Sequence, residues 1–245
     1  MSALDFRDAG HLPNRRAGEE PTNPFDLPRQ RRGTTPQMHG RYPDYDVMEQ
    51  ARHWDQVTRE LIEERAAETP PLRFFTPLEA STLTAFCDVV TAQDAEPRIP
   101  VLAMVDRKLH TGKLDGFRYD DMPDDAETWR LVAAGLDEVA ADRGAGSFAE
   151  ADDELQHEIC ADFAAGRLEA GIWERMPCSR AWSVVLRAVL AEFYSHPWAW
   201  NEIGYGGPSY PRGYMRLGPD QREPYEREEA TSEDPVTAVD QRGLP

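Results

Sequence analysis

Apolar residues along this chain recur at helical spacing in six stretches, and no stretch settles into the strict alternation of a half-buried strand. From Asp44 the first stripe is Val47, Ala51, Trp54, Val57 or Thr58, Leu61 and Arg65, and it ends before Pro70-Pro71. Thr76-Pro77-Leu78-Glu79 opens a second helix, with Thr76 as cap, Pro77 in the first turn and Glu79 closing a capping box. Its apolar stripe is Leu83, Phe86, Cys87 and Val90. Pro100 opens a third helix with Leu102, Val105 and Leu109 inward, ending near Thr111-Gly112.

A fourth helix over 124–142 carries Trp129, Val132, Leu136 and Val139, and Asp124 and Asp125 suit its positive end. A fifth over 149–165 buries Leu155, Ile159 and Phe163, and a sixth over 178–195 buries Trp182, Val185, Leu186, Val189 and Phe193. The expected fold is all-α: an irregular bundle of about six helices without internal repeats.

The two ends depart from this pattern. Residues 1–43 hold Pro13, Pro21, Pro24, Pro28, Pro36 and Pro43 and little to bury beyond Phe25, Leu27 and Tyr42, so they read as an extended or disordered arm. Residues 219–245 are polar and acidic and read as a disordered tail, with Tyr225 as a local anchor. The helical domain is expected over 44–218.

A formal charge of −18 removes nucleic acid and anionic membrane surfaces as partners, because both need clustered Lys and Arg. An acidic surface keeps a protein soluble and names no partner by itself. No apolar run reaches membrane-spanning length, so no direct membrane insertion is expected. Arg15-Arg16 and Arg31-Arg32 invite a twin-arginine reading, but no apolar stretch follows either pair. Cys87, Cys160 and Cys178 form no C-x-x-C and fit buried thiols in a reducing compartment. A cytoplasmic location is expected.

Motifs for catalysis are sparse. Gly204, Gly206 and Gly207 do not make GxGxxG, and neither a GxxxxGK[ST] loop nor a G-x-S-x-G elbow occurs. Ser195 and His196 are adjacent in sequence, and neighbouring side chains at a helix end point apart. Glu154 and His157 form an E-x-x-H that puts two metal ligands on one helical face, but it has no second copy: Glu49 and His53 are spaced by four. A free-standing enzyme or metal protein would draw on His157 with Glu154, or on His196 with Glu202.

The most distinctive stretch is FYSHPWAWNEIGYGGPSYPRGYMRLG, residues 193–218. Tyr194 is expected to end the sixth helix and Pro197 to stop it, leaving Trp198, Trp200, Tyr205, Tyr210 and Tyr214 on a Gly- and Pro-rich aromatic loop. His196, at the C-terminal end of that helix, suits its negative dipole when protonated, and Asn201 and Glu202 can satisfy backbone groups. Turn signals at Gly206-Gly207-Pro208 and Pro211-Arg212-Gly213 are each flanked by Tyr. Such a loop either caps the bundle's own core or docks a protein partner, since Trp, Tyr and Arg dominate interface hot spots.

FYSHPWAWNEIGYGGPSYPRGY, the upstream FFTPLEASTLTAFCDVVT and the helix centred on Gln156 together resemble the gluconate 2-dehydrogenase subunit 3 family, over about residues 72–218. The resemblance implies a non-catalytic small subunit, with no cofactor of its own, that supports folding, maturation or assembly of a larger flavoprotein. That partner would be a glucose-methanol-choline-type FAD-dependent sugar or alcohol dehydrogenase, with a multihaem cytochrome subunit as electron acceptor in many such complexes. Tyr194, His196, Trp198, Trp200 and Tyr205, with Asn201, Glu202, Tyr210, Arg212 and Tyr214, are then the expected partner interface. The arm departs from the twin-arginine leader of exported members, which keeps the expectation cytoplasmic, or periplasmic only by export with a partner.

Overall fold

A computed structural model describes residues 42, 45–67, 69–94, 96–113, 116, 119–215 and 223–226. Helices in chain order are α1 (Gln56–Ala67), α2 (Pro77–Val90), α3 (Val101–Thr111), α4 (Asp125–Asp142), α5 (Asp153–Ala164), α6 (Cys178–Phe193) and α7 (Pro197–Ile203). Short 3-10 helices occupy Val47–His53 and Gly171–Arg175, and the described residues contain no strand. Two compact units divide the described residues: those within Thr69–Phe193 form one, and the described residues before and after that span form the other.

The central unit is a helical bundle in which α2 packs on α3, α4 and α5, and α6 packs on α3, α4 and α5. Its helices begin where the sequence supplies caps. Thr76 Oγ1 accepts the Glu79 N–H while the Glu79 carboxylate accepts the Thr76 N–H at 2.8 Å. Asp124 and Asp152 cap α4 and α5 through the N–H groups of Glu127 and Leu155. The core centres on Phe163, whose ring lies 4.8 Å from Trp173, 5.2 Å from Trp182 and 6.0 Å from Phe86. Rings of this size contribute about 2–3 kcal/mol each on burial, so this cluster dominates the unit's stability.

Polar groups inside this unit are tied down. Asp106, fully buried on α3, accepts the N–H groups of Arg73 at 2.7 Å, Phe74 at 2.9 Å and Phe75 at 3.0 Å. The irregular lead-in to α2 thereby gains the partners that regular structure would otherwise give it. Asp137 on α4 accepts Thr82 Oγ1–H and the Phe148 N–H, and buried Glu192 on α6 pairs with Lys108 Nζ on α3 at 2.5 Å.

The second unit is built from the 3-10 helix, α1 and α7, with α7 against both of the others. Tyr42, Tyr45, Val47, Met48, Ala51, Trp54, Ile62 and Trp200 make its core. The expected first helix is here two elements. Asp46 caps the 3-10 helix through the Met48 N–H, the chain turns extended at Trp54, and Asp55 caps α1 through the Thr58 N–H. That break resets the helical phase: Ile62, Ala66 and Arg59 face inward, whereas Val57 and Leu61 of the expected stripe are exposed. Two aspartates with local capping geometry outweigh a continuous apolar period.

The aromatic segment is also corrected. Pro197 does not end a helix without a successor; it opens α7 from the first-turn position, where its missing N–H costs nothing. Gly204 closes α7 at φ +65°, and Gly207 at φ +73° lies so near Trp54 that a Cβ there would sit 2.5 Å from the indole. The rest of the arm over 1–43 apart from Tyr42, and the tail over 219–245 apart from Glu223–Glu226, fall outside the described residues.

Candidate functional site

The segment from Tyr194 to Tyr214 sorts its aromatic side chains into two sets. Trp198 and Trp200 are each 6% exposed, while Tyr194 is 43%, Tyr205 36%, Tyr210 53% and Tyr214 45% exposed. The indoles therefore serve the unit's interior, and the tyrosines provide surface. Each buried member has a definite role. Trp200 donates its indole N–H to the Tyr194 carbonyl at 2.6 Å and meets Tyr205 edge-on at 5.5 Å. Asn201 Oδ1 accepts the Val47 N–H at 2.7 Å, joining α7 to the start of the 3-10 helix. Tyr45 donates its hydroxyl to the Tyr205 carbonyl at 3.1 Å, which fixes the backbone beneath an exposed ring.

His196 behaves opposite to the expected dipole partner. Its Nδ1 accepts the Trp198 N–H at 3.2 Å as the N-cap of α7, and its ring lies 4.9 Å from Trp198. Burial pushes its pKa down from 6.5 to about 4, helped by the Arg65 charge and opposed by a hydrogen bond with the Arg65 backbone. A protonated imidazole has no lone pair for the cap, so the neutral ring is the working form. Arg65 in turn donates to the Ser195 carbonyl at 3.0 Å, which ties α1 to the entry of α7.

Arg212 is half-buried. Nη1 donates to Gln50 Oε1 at 2.9 Å, and the Tyr225 ring lies 3.9 Å from the guanidinium carbon. Tyr225 donates its hydroxyl to the Gly213 carbonyl at 3.0 Å, Glu223 accepts the Met215 N–H, and Tyr214 and Tyr225 lie 6.0 Å apart. The local anchoring expected of Tyr225 is thus realised through Arg212 and Gly213. Desolvation lowers the Arg212 pKa and raises that of Tyr225 to about 12; burial also raises Tyr45, Tyr194 and Tyr214, with the Glu202 charge adding to the effect at Tyr194. Glu202 is itself buried.

The other candidate chemistry is not assembled. Glu154 and His157 are exposed on α5, and His157 Nδ1 lies 2.7 Å from the Asp153 carbonyl of its own helix. Among the described residues no three His, Cys, Asp or Glu side chains gather as a metal site, and none of the helices is long and apolar enough to cross a membrane. Sequence reasoning missed Asp106, Asn201's bond to Val47 and the Gln50–Arg212 pair. Asp106 had a legible signal, a lone carboxylate on the inward stripe of α3 beside Leu102 and Val105; the Gln50 partnership had none.

Fold and site together define an all-α protein that carries exposed tyrosines just before a short capped helix and in the turns that follow it. The family model for gluconate 2-dehydrogenase subunit 3 matches residues 77–207, more than half of the chain, and the chain belongs to that family. Comparisons with curated proteins and with solved structures gave no match. Membership implies a complex with other dehydrogenase subunits. The matched residues take in α2 to α7 and stop at Gly207, so Tyr210, Arg212 and Tyr214 lie beyond them.

Proposed function

We propose that this chain is a non-catalytic small subunit that supports folding, maturation or assembly of a glucose-methanol-choline-type FAD-dependent sugar or alcohol dehydrogenase. The observation that carries the reading is the exposed tyrosine row held on a fixed base: Tyr194, Tyr205, Tyr210 and Tyr214 project from a segment whose tryptophans and cap are committed to the interior. Tyrosines supply large contact area at low entropy cost, so such a row suits docking to a larger subunit. FAD belongs to that large subunit, and where a cytochrome subunit is present it takes the electrons. Assembly is placed in the cytoplasm, a reading supported by three buried free cysteines. Co-purification from native cells tests the function: a stable complex with a flavoprotein is expected, and a lone monomer beside a soluble, active flavoprotein would overturn it.

A further inference from the structure

The exposed tyrosines of the second unit lie at the root of the N-terminal arm. Tyr42, the first described residue, is buried, and its ring packs so closely on Gly204 that a Cβ there would overlap it. Gly204 immediately precedes Tyr205, and the Tyr45 hydroxyl bonds the Tyr205 carbonyl. Both points of attachment fix the start of the arm to the backbone that carries the exposed Tyr205 ring. The Tyr205 and Tyr214 side chains are themselves hydrogen-bonded, so these two exposed rings belong to one face.

The charge distribution points to what covers that face. Residues 1–41 hold seven arginines against five acids, a net of +2, so the rest of the chain carries −20. The basic excess is concentrated in Pro24-Phe25-Asp26-Leu27-Pro28-Arg29-Gln30-Arg31-Arg32, where three arginines follow two apolar side chains and two prolines. The described residues of the second unit carry nine Asp or Glu against four Arg. Among those acids the Glu226 charge reaches the hydroxyls of Tyr45 and Tyr214, and that of Glu49 reaches Tyr45. Arg212 also lies near, with Nη1 on Gln50 and its guanidinium against Tyr225, so its charge offsets only part of that acidic field.

We propose that residues 24–32 of this chain dock on its own face centred on Tyr205 and Tyr214, with Phe25 and Leu27 on the rings and the three arginines toward Glu49 and Glu226. The inference goes beyond the accessory role and does not depend on it. Nine residues separate Arg32 from Tyr42, a connection of at most about 33 Å that keeps the segment beside the face. A short tether of this kind gives an effective concentration of about a millimolar, so even a weak contact is populated. Two prolines restrict the segment before it binds, and aromatic surfaces suit proline-bearing chains. A contact of this size stays displaceable by a larger partner that buries more area.

The test places a nitroxide on Gln30→Cys in the full chain, whose three native thiols are buried, and follows amide intensities by NMR. The Tyr205 and Tyr214 amides should lose at least half their intensity relative to the reduced label. No loss at either overturns the proposal. An equal loss in a mixture with nitroxide and isotope on different chains assigns the seat to a second copy and overturns the docking within one chain. Replacing Arg29→Glu, Arg31→Glu and Arg32→Glu together, with the urea midpoint of wild type confirming the fold, should cut the loss at least twofold. An undiminished loss removes the charge basis of the seat and overturns the proposal. Each of these failures leaves the accessory role standing.

Discussion

Stability between pH 7.5 and pH 5 is expected to hinge on His196. In the folded chain its imidazole is buried, accepts the Trp198 N–H and holds a pKa of about 4, against 6.5 for an exposed histidine. The folded pKa lies below the unfolded one, so the unfolded chain binds the proton first. The stabilisation is complete above pH 6.5, declines as pH falls, and is fully lost below about pH 4. The whole interval is worth at most about 3 kcal/mol, and the part between pH 6.5 and 5 about 2 kcal/mol. His196→Asn removes the titration and keeps a side-chain oxygen for the cap. Urea unfolding followed by tryptophan fluorescence at pH 7.5 and 5.0 should show wild type losing about 2 kcal/mol more than His196→Asn. Other titrating groups are common to both proteins and cancel in the difference. Identical pH dependence would refute the buried neutral cap.

The central unit is tested by Asp106→Asn. Turning one amide oxygen toward Phe74 and Phe75 leaves the amide NH2 facing the Arg73 N–H, so one charge-assisted bond is lost and donors are set against each other. A loss of about 2–4 kcal/mol is expected in urea unfolding, and a change under 0.5 kcal/mol would show that the carboxylate does not hold the lead-in to α2. The thiols give an independent check. Burial pushes Cys160 to about 12 and raises Cys87 and Cys178, so a thiol reagent at pH 8 should label none of the three rapidly in the native chain and all three in urea.

The helices of the central unit were legible because period, cap and breaker agreed. Thr76-Pro77-Leu78-Glu79 forms the capping box it spells, and Gly112 closes α3 in the left-handed region. The second unit was less legible because its signals conflict. Apolar spacing favours one helix through Trp54, but Asp46 and Asp55 each offer a local cap, and two short elements in a different phase result. Pro197 can mark either an end or a start; what decides for a start is the His196 ring, which supplies an acceptor that a histidine rarely lends. Of the ten expected interface residues, the sequence could place all on one segment but could not tell surface from interior. Trp198 and Trp200 and the four tyrosines have the same attraction to a core, and tertiary contacts such as the Trp200 indole bond to the Tyr194 carbonyl, absent from any local pattern, divide them.

The accessory role is tested most directly by the FAD content of the large subunit, purified from cells that do or do not also express this chain. The account predicts near-stoichiometric FAD when the wild-type chain is present, and a large loss when it is absent or carries Tyr205→Ala with Tyr210→Ala. A soluble large subunit fully loaded with FAD in the absence of this chain would contradict it.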